Sequence, residues 1–231
     1  RAPRRQLLMG RPALTTGSVA VLATVAAAVC LLLPQRALAQ DGGPGMDGPM
    51  TGSSEVLLGL GVAHGAAYLG SDERKTRALP LLAARWRNGW FVGTGGVGYR
   101  FGGDSPLSWG PRLTLDAGRD EDDADALRGM GDIEMRPELG AFVSYALMPG
   151  LRVGTSFRYG SGNDRDGLLG DVSVRGMVPV SPTVRLTAGL TATLANTKSM
   201  QSQFGADAEQ SLHSGYALYT PGSGLRDVNL Q

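Results

Sequence analysis

The residues able to do chemistry in this chain are few and scattered. Only two histidines occur, His64 and His213. His213 sits beside Ser211 and Ser214, an example of a neighbourhood where a Ser-His-acid arrangement is conceivable, as in outer-membrane lipid hydrolases. No nucleophile elbow and no His-Glu-x-x-His helix accompanies it, so polar residues at strand ends explain these positions better and no catalysis is expected. Carboxylates gather in Arg119-Asp120-Glu121-Asp122-Asp123-Ala124-Asp125. The run offers oxygen ligands to Ca²⁺ but lacks the glycine and the final glutamate of an EF-hand loop, so a solvated loop is expected. Gly160-Ser161-Gly162-Asn163-Asp164 matches a single calcium-binding nonapeptide repeat; one copy builds no stacked β-roll, and a turn is expected there. Gly93, Gly95, Gly96 and Gly98 lack the lysine and the strand-to-helix context of a phosphate loop, and suit strand curvature or close packing instead. No cofactor and no metal is expected.

The elements that carry these residues are strands. Leu139, Ala141, Val143, Tyr145 and Leu147 alternate with Glu138, Gly140, Phe142, Ser144 and Ala146, a period of two in which Phe142 is the exception to a polar or small face. After Pro149-Gly150, Leu151, Val153, Thr155, Phe157 and Tyr159 alternate with Arg152, Gly154, Ser156, Arg158 and Gly160. The pattern continues with Val172, Val174, Gly176, Val178 and Val180 against Asp171, Ser173, Arg175 and Met177. Beyond Ser181-Pro182, Val184 to Leu194 alternates with a threonine-rich face. Strands are also expected over 55–64, 78–88, 90–101 and 109–118, with 210–219 as a weaker ninth. No stretch has the apolar face of a long helix.

Strands of about 9 to 12 residues match the length of a tilted bilayer-spanning β-strand. Tight turns at Asn88-Gly89, Pro149-Gly150 and Ser181-Pro182 alternate with long polar connections at 65–77, 102–108, 119–132, 160–168 and 195–209. Short turns on one rim and long loops on the other describe an outer-membrane barrel, whose closure removes exposed sheet edges. In that arrangement Arg112, Asp116, Glu138, Arg152, Arg158, Arg175 and Arg185 point into the lumen. The Leu/Val/Ala face meets outer-membrane lipid. The competing architecture is a soluble secreted β-sandwich, in which the apolar face lies in a core and the polar face in water.

The start of the chain reads as a secretory signal. Arg1, Arg4, Arg5 and Arg11 precede an apolar run from Val19 to Leu33, and Ala37-Leu38-Ala39 supplies small residues before Gln40. The run is shorter than the roughly 20 residues of a spanning helix and ends at Pro34. Residues 40–54, rich in Gly, Pro, Met and Asp, read as a flexible leader, and 55–231 as the barrel. Residues 1–39 hold five arginines and no acids, leaving 17 basic and 21 acidic residues beyond them. That balance argues against nucleic acid as a partner. The single cysteine, Cys30, lies inside the signal, so no disulfide, cysteine nucleophile or cysteine-based zinc site is expected in the mature chain.

Gly59-Leu60-Gly61-Val62, Tyr68-Leu69-Gly70-Ser71-Asp72, Leu79-Pro80, Gly118-Arg119-Asp120, Leu127-Arg128-Gly129-Met130-Gly131-Asp132, Glu138-Leu139-Gly140, Gln203-Phe204-Gly205 and Gly224-Leu225-Arg226-Asp227 occur in an order that resembles the MipA/OmpV family of MltA-interacting proteins. The likeness spans about residues 55 to 231. It implies an outer-membrane barrel that is not an enzyme and that joins a lytic murein transglycosylase to a penicillin-binding murein synthase. Other members are adhesin-like. The family pattern continues with further strands where this sequence stops at Gln231, so the expectation is part of a barrel of about 10 to 12 strands. A solute pore lined by the lumenal arginines and a surface adhesin built on the long loops are the alternative functions.

Overall fold

A computed structural model describes residues 53–231 apart from residues 95, 182 and 183. The signal reading of 1–39 and nearly all of the 40–54 leader lie outside the described residues. Ten strands follow one another in a single antiparallel up-and-down sheet. They are β1 (Ser54–Ala66), β2 (Arg74–Trp86), β3 (Trp90–Gly93), β4 (Gly96–Tyr99), β5 (Leu107–Asp116), β6 (Arg136–Met148), β7 (Leu151–Ser161), β8 (Gly167–Pro179), β9 (Arg185–Ala195) and β10 (Gly224–Leu230). Two short helices, α1 (Thr197–Phe204) and α2 (Ala208–Ser214), lie between β9 and β10. β1 pairs with β2 and β10 with β9, so the sheet is open between β1 and β10 among the described residues.

Two expectations need correction. The segment 90–101 is not one strand but the hairpin β3–β4, with Trp90 paired to Tyr99 and Gly93 to Gly96. Gly96 has φ +101°, and a Cβ there would run into the Leu113 carbonyl, so the chain reverses where only glycine fits. The segment 210–219 is not a strand; most of it is α2 and the coil that follows. Asp207 and Gln210 form a reciprocal capping box at the start of α2, and Gly215 ends it in the left-handed region at φ +78°. The last strand lies further on, at β10.

The hairpin also fixes which connections share a rim. Counting reversals along the sheet, 87–89, 100–106, 149–150 and 180–184 fall at one end, and 67–73, 117–135, 162–166 and 196–223 at the other. The connection at 100–106 therefore belongs with the short turns and not with the long loops.

The two faces of the sheet differ sharply. Leu139, Val143, Phe157, Val172, Leu190 and Leu194 project outward and are exposed. Trp90, Tyr99, Phe101 and Trp109 form a contiguous aromatic cluster on the same outer face near the short-turn rim, Phe101 and Trp109 stacked with centroids 4.4 Å apart. The other face is buried and polar. A flat sheet would hold the attachment points of Phe91 on β3 and Phe142 on β6 about 14 Å apart, three strand spacings. Their rings meet edge-on at 5.8 Å, so the sheet curls around this face. A β-sandwich requires a second sheet over the apolar side; among the described residues the ten strands form one sheet and leave that side uncovered.

Candidate functional site

The strand registers build the buried face in rows. One inward row runs Gly98, Arg112, Gly140, Arg158, Leu169, Ala195 from β4 to β9, and the next runs Gly110, Phe142, Ser156, Asp171, Thr193 from β5 to β9. Large side chains alternate with glycine, as in small barrels filled by their own residues. Gly140 is required where it stands: a Cβ would meet the Phe157 carbonyl and come within 3.2 Å of Arg158 Cγ. Its absence lets the two arginines flank it.

These rows, with Glu138 opposite Thr114 in the row beside them, bring four charges together. Arg158 donates from Nη1 to Glu138 Oε2 at 3.0 Å, from Nε to Asp171 Oδ2 at 3.2 Å and from Nη2 to Asp171 Oδ1 at 3.3 Å. Arg112 Nη2 donates to Ser156 Oγ at 2.8 Å, and Ser156 Oγ donates to Asp171 Oδ2 at 2.8 Å. Thr193 completes Asp171 at 3.0 Å, and Thr114 donates to Glu138 Oε2 at 2.9 Å. Arg112 also lies 3.8 Å from Asp171. Two guanidiniums balance two carboxylates, and Glu138 is 0% exposed. In so buried a place each charge depends on its partners, because desolvation exceeds what any single contact returns. The network spans β5 to β9 and occupies the interior.

The seven residues singled out from the sequence divide by position. Arg112, Glu138 and Arg158 belong to the network. Arg152 and Arg175, half-buried, line a cavity at the short-turn rim, where Arg152 Nη1 donates to Ser144 Oγ at 3.3 Å. Arg185 opens β9 at the same rim and is exposed. Asp116 closes β5 at the opposite rim, its Oδ1 accepting from the Gly118 amide at 3.1 Å. Asp171, Ser156, Thr114 and Thr193, which complete the network, were not singled out. Their inward parity was legible in the alternation, but only the registers show that they meet.

The rim cavity has a volume of about 1150 Å³. Among the described residues its wall includes Arg85, Arg87, Arg100, Arg152, Arg175 and Asp104. The opposite rim is filled. Arg119 Nη1 donates to the Gln203 carbonyl at 3.0 Å and Nη2 to the Gly131 carbonyl at 3.3 Å, tying 117–135 to α1. Burial pushes this guanidinium below its ordinary pKa against the opposing pull of Asp132 and Tyr68. Gln210 donates to the Met130 carbonyl at 2.6 Å, Tyr216 to the Ala126 carbonyl at 3.0 Å, and the Asn163 amide to Ser202 Oγ at 3.1 Å. The long loops fold into one cap.

The other motifs are engaged within that cap. Asp120 caps a 3₁₀ turn, Glu121 Oε2 accepts from the Gly129 and Gly131 amides at 3.1 and 3.2 Å, and Asp132 accepts from the Glu121 amide at 2.8 Å. No three His, Cys, Asp or Glu side chains gather as metal ligands among the described residues. Ser211 and Ser214 donate to the Tyr216 and Gln210 carbonyls, both at 2.6 Å, and not to His213. His64 shares a 2.9 Å hydrogen bond with Thr76. No helix among the described residues is long and apolar enough to cross a membrane.

Comparison with known proteins gives one positive result. The family model described as MltA-interacting protein MipA matches residues 58–231. No curated protein and no solved structure matches the chain.

Proposed function

Because the chain belongs to the MltA-interacting protein MipA family, a family of outer-membrane proteins, we propose that it is a membrane-embedded barrel that acts by docking and performs neither transport nor catalysis. In this reading it holds a lytic murein transglycosylase and a penicillin-binding murein synthase near each other at its short-turn rim, raising their effective concentration. Export uses the signal at 1–39, and the outward Leu/Val face lies in lipid. The exposed apolar side and the aromatic cluster at one rim support membrane embedding, since such rings favour the lipid–water boundary.

The observation that carries the docking reading over a channel is the filled interior. The Arg112–Asp171–Arg158–Glu138 network and the cap lie across the path a solute would take. A channel needs an open lumen lined by groups that bind and release. The deciding experiment is co-purification from detergent-solubilised envelopes. Recovery of a murein hydrolase or synthase with the protein is the expected result, and recovery of neither overturns the scaffold role. Planar-bilayer recording of the purified protein is expected to show no stable open level; a stable level would favour the pore.

A further inference from the structure

We propose that the cap surface around α2, at the long-loop rim, docks a basic peptide segment of another protein that carries apolar side chains. The inference concerns the rim opposite the one assigned to the murein enzymes and does not rest on that role.

An apolar patch is the first argument. Ser211 Oγ donates to the Tyr216 carbonyl at 2.6 Å, and Ala206 and Tyr219 exchange backbone hydrogen bonds at 2.9 and 3.0 Å, so the coil after α2 folds back along the helix. Leu212, Tyr216, Leu218 and Tyr219 are thereby gathered around one short helix and all four are exposed, Leu212 by 85% and Leu218 by 68%. They belong to the 196–223 connection and not to the outward face of the sheet. Tyr216 is already held by its bond to the Ala126 carbonyl, so a partner meets a preordered aromatic contact.

Charge selects the occupant. The four connections at this rim hold thirteen carboxylates and four basic side chains, and adding Arg74, Lys75, Arg77 and Arg136 from the adjoining strand ends leaves thirteen against eight. Among the described residues three of the thirteen lie in ion pairs, Asp125 with Arg128, Glu134 with Arg136 and Asp166 with Lys198. The loop that carries the acidic 120–125 run abuts the patch: besides the Tyr216 bond, Gln210 donates to the Met130 carbonyl, and a Cβ on Gly129 would strike the His213 backbone. Glu209 stands one helical turn before Leu212 and His213, on the same side of α2. A complementary occupant therefore brings positive charge together with apolar groups. Anionic lipid would meet like charge here, and an uncharged apolar segment would leave the carboxylates unanswered. Such rim charges speed and select the encounter, while apolar anchors hold the partner.

The test uses the full-length chain folded in non-ionic detergent micelles and a fluorescein-labelled nonapeptide alternating lysine with leucine, with empty micelles as the baseline. Fluorescence anisotropy is expected to show saturable binding, weakened about tenfold or more when aspartate replaces lysine. Two double variants separate the contributions: Asp122→Asn with Glu209→Gln, exposed carboxylates without an ion pair among the described residues, and Leu212→Ser with Leu218→Ser. Each is expected to weaken binding about fivefold or more while the heat-dependent electrophoretic shift of the folded protein is retained. Equal binding of the aspartate peptide, or unchanged affinity of either folded variant, overturns the proposal; loss in the charge variant alone would mean that the rim attracts cations without a docking site. If a double variant does not fold, Glu209→Gln or Leu212→Ser alone is measured against the same criteria. In vesicles, a nitroxide on Leu212→Cys in a Cys30→Ser background is expected to be relaxed more by a water-soluble nickel chelate than by oxygen, and the reverse would place the patch in lipid and overturn the proposal.

Discussion

Asp171 and Val172 are neighbours on β8 with opposite surroundings: Asp171 is 6% exposed among arginines and hydroxyls, and Val172 is 57% exposed on a face of leucines, valines and aromatics. The contrast holds along the strands on either side. Arg158 beside Phe157 and Ser144 beside Val143 repeat it. A soluble sheet buries its apolar face and wets its polar one, and this sheet does the reverse. What teaches most is that alternation alone fixes only that the two faces differ. Which face is inside follows from the curl of one sheet around its polar side.

The largest break in that contrast comes from the inner face. Asp171→Ala removes the acceptor shared by Arg158, Ser156 and Thr193 and takes one of the two carboxylates from a network that holds two buried guanidiniums. Breaking a buried ion pair at one partner costs about 3–5 kcal/mol. Urea unfolding of the protein in lipid vesicles should show a midpoint lowered accordingly, and an unchanged midpoint would mean the network is not the interior's main constraint. A sharper version replaces all four charged residues, Arg112, Glu138, Arg158 and Asp171, together with apolar residues of similar volume. Such swaps are often neutral or stabilising, so recovery of most of the lost stability is expected.

The outer face gives the next effect and the clearest division between membrane and solution. Val172→Arg places a charge on the apolar side. In a bilayer a lipid-facing arginine near the midplane costs about 2–4 kcal/mol, whereas an exposed position in a soluble protein tolerates such a change within about 0.5 kcal/mol. Unfolding in vesicles therefore separates the two. A loss of stability in vesicles supports lipid contact, and indifference there returns the outer face to water.

How much of this was legible in the sequence differs by element. β6 to β9 were readable because each carries a clean period of two over ten or more residues, long enough for alternation to outweigh any single exception. Phe142 broke the pattern and turns out to fill the inner face, 2% exposed against Phe91. The β3–β4 hairpin was hidden because four-residue strands are too short to display a period. α2 was misread as strand because its stability comes from the Asp207–Gln210 capping box and from contacts with 126–131, which periodicity does not register. The network was half legible: Arg112, Glu138 and Arg158 stood out by charge, while Asp171 joined them only through registers linking strands far apart in sequence.

The cap offers a local counterpart to these global effects. Asp207→Ala removes one half of the capping box, a loss of about 1 kcal/mol. Because α2 holds the 117–135 loop through Gln210 and Met130, amide hydrogen exchange should quicken over 208–214 and 129–131 together. Exchange in β6 to β9 should stay unchanged. Faster exchange in the strands as well would show that cap and sheet form one cooperative unit.

The smallest effect is expected from a charge pair that resembles the buried ones in chemistry and differs only in place. Arg128 and Asp125 lie 3.0 Å apart in the cap, with side chains 74% and 91% exposed, against 10% and 0% for Arg158 and Glu138 at the same distance. Water screens the first pair and is excluded from the second. Arg128→Ala should change stability by less than about 0.5 kcal/mol, the usual worth of an exposed pair. The measurement is the same urea titration, and a loss approaching that of Asp171→Ala would show that the cap, not the interior, sets the stability of the fold. The distance between the charges is equal in the two pairs, so the difference in outcome isolates what burial inside the sheet contributes.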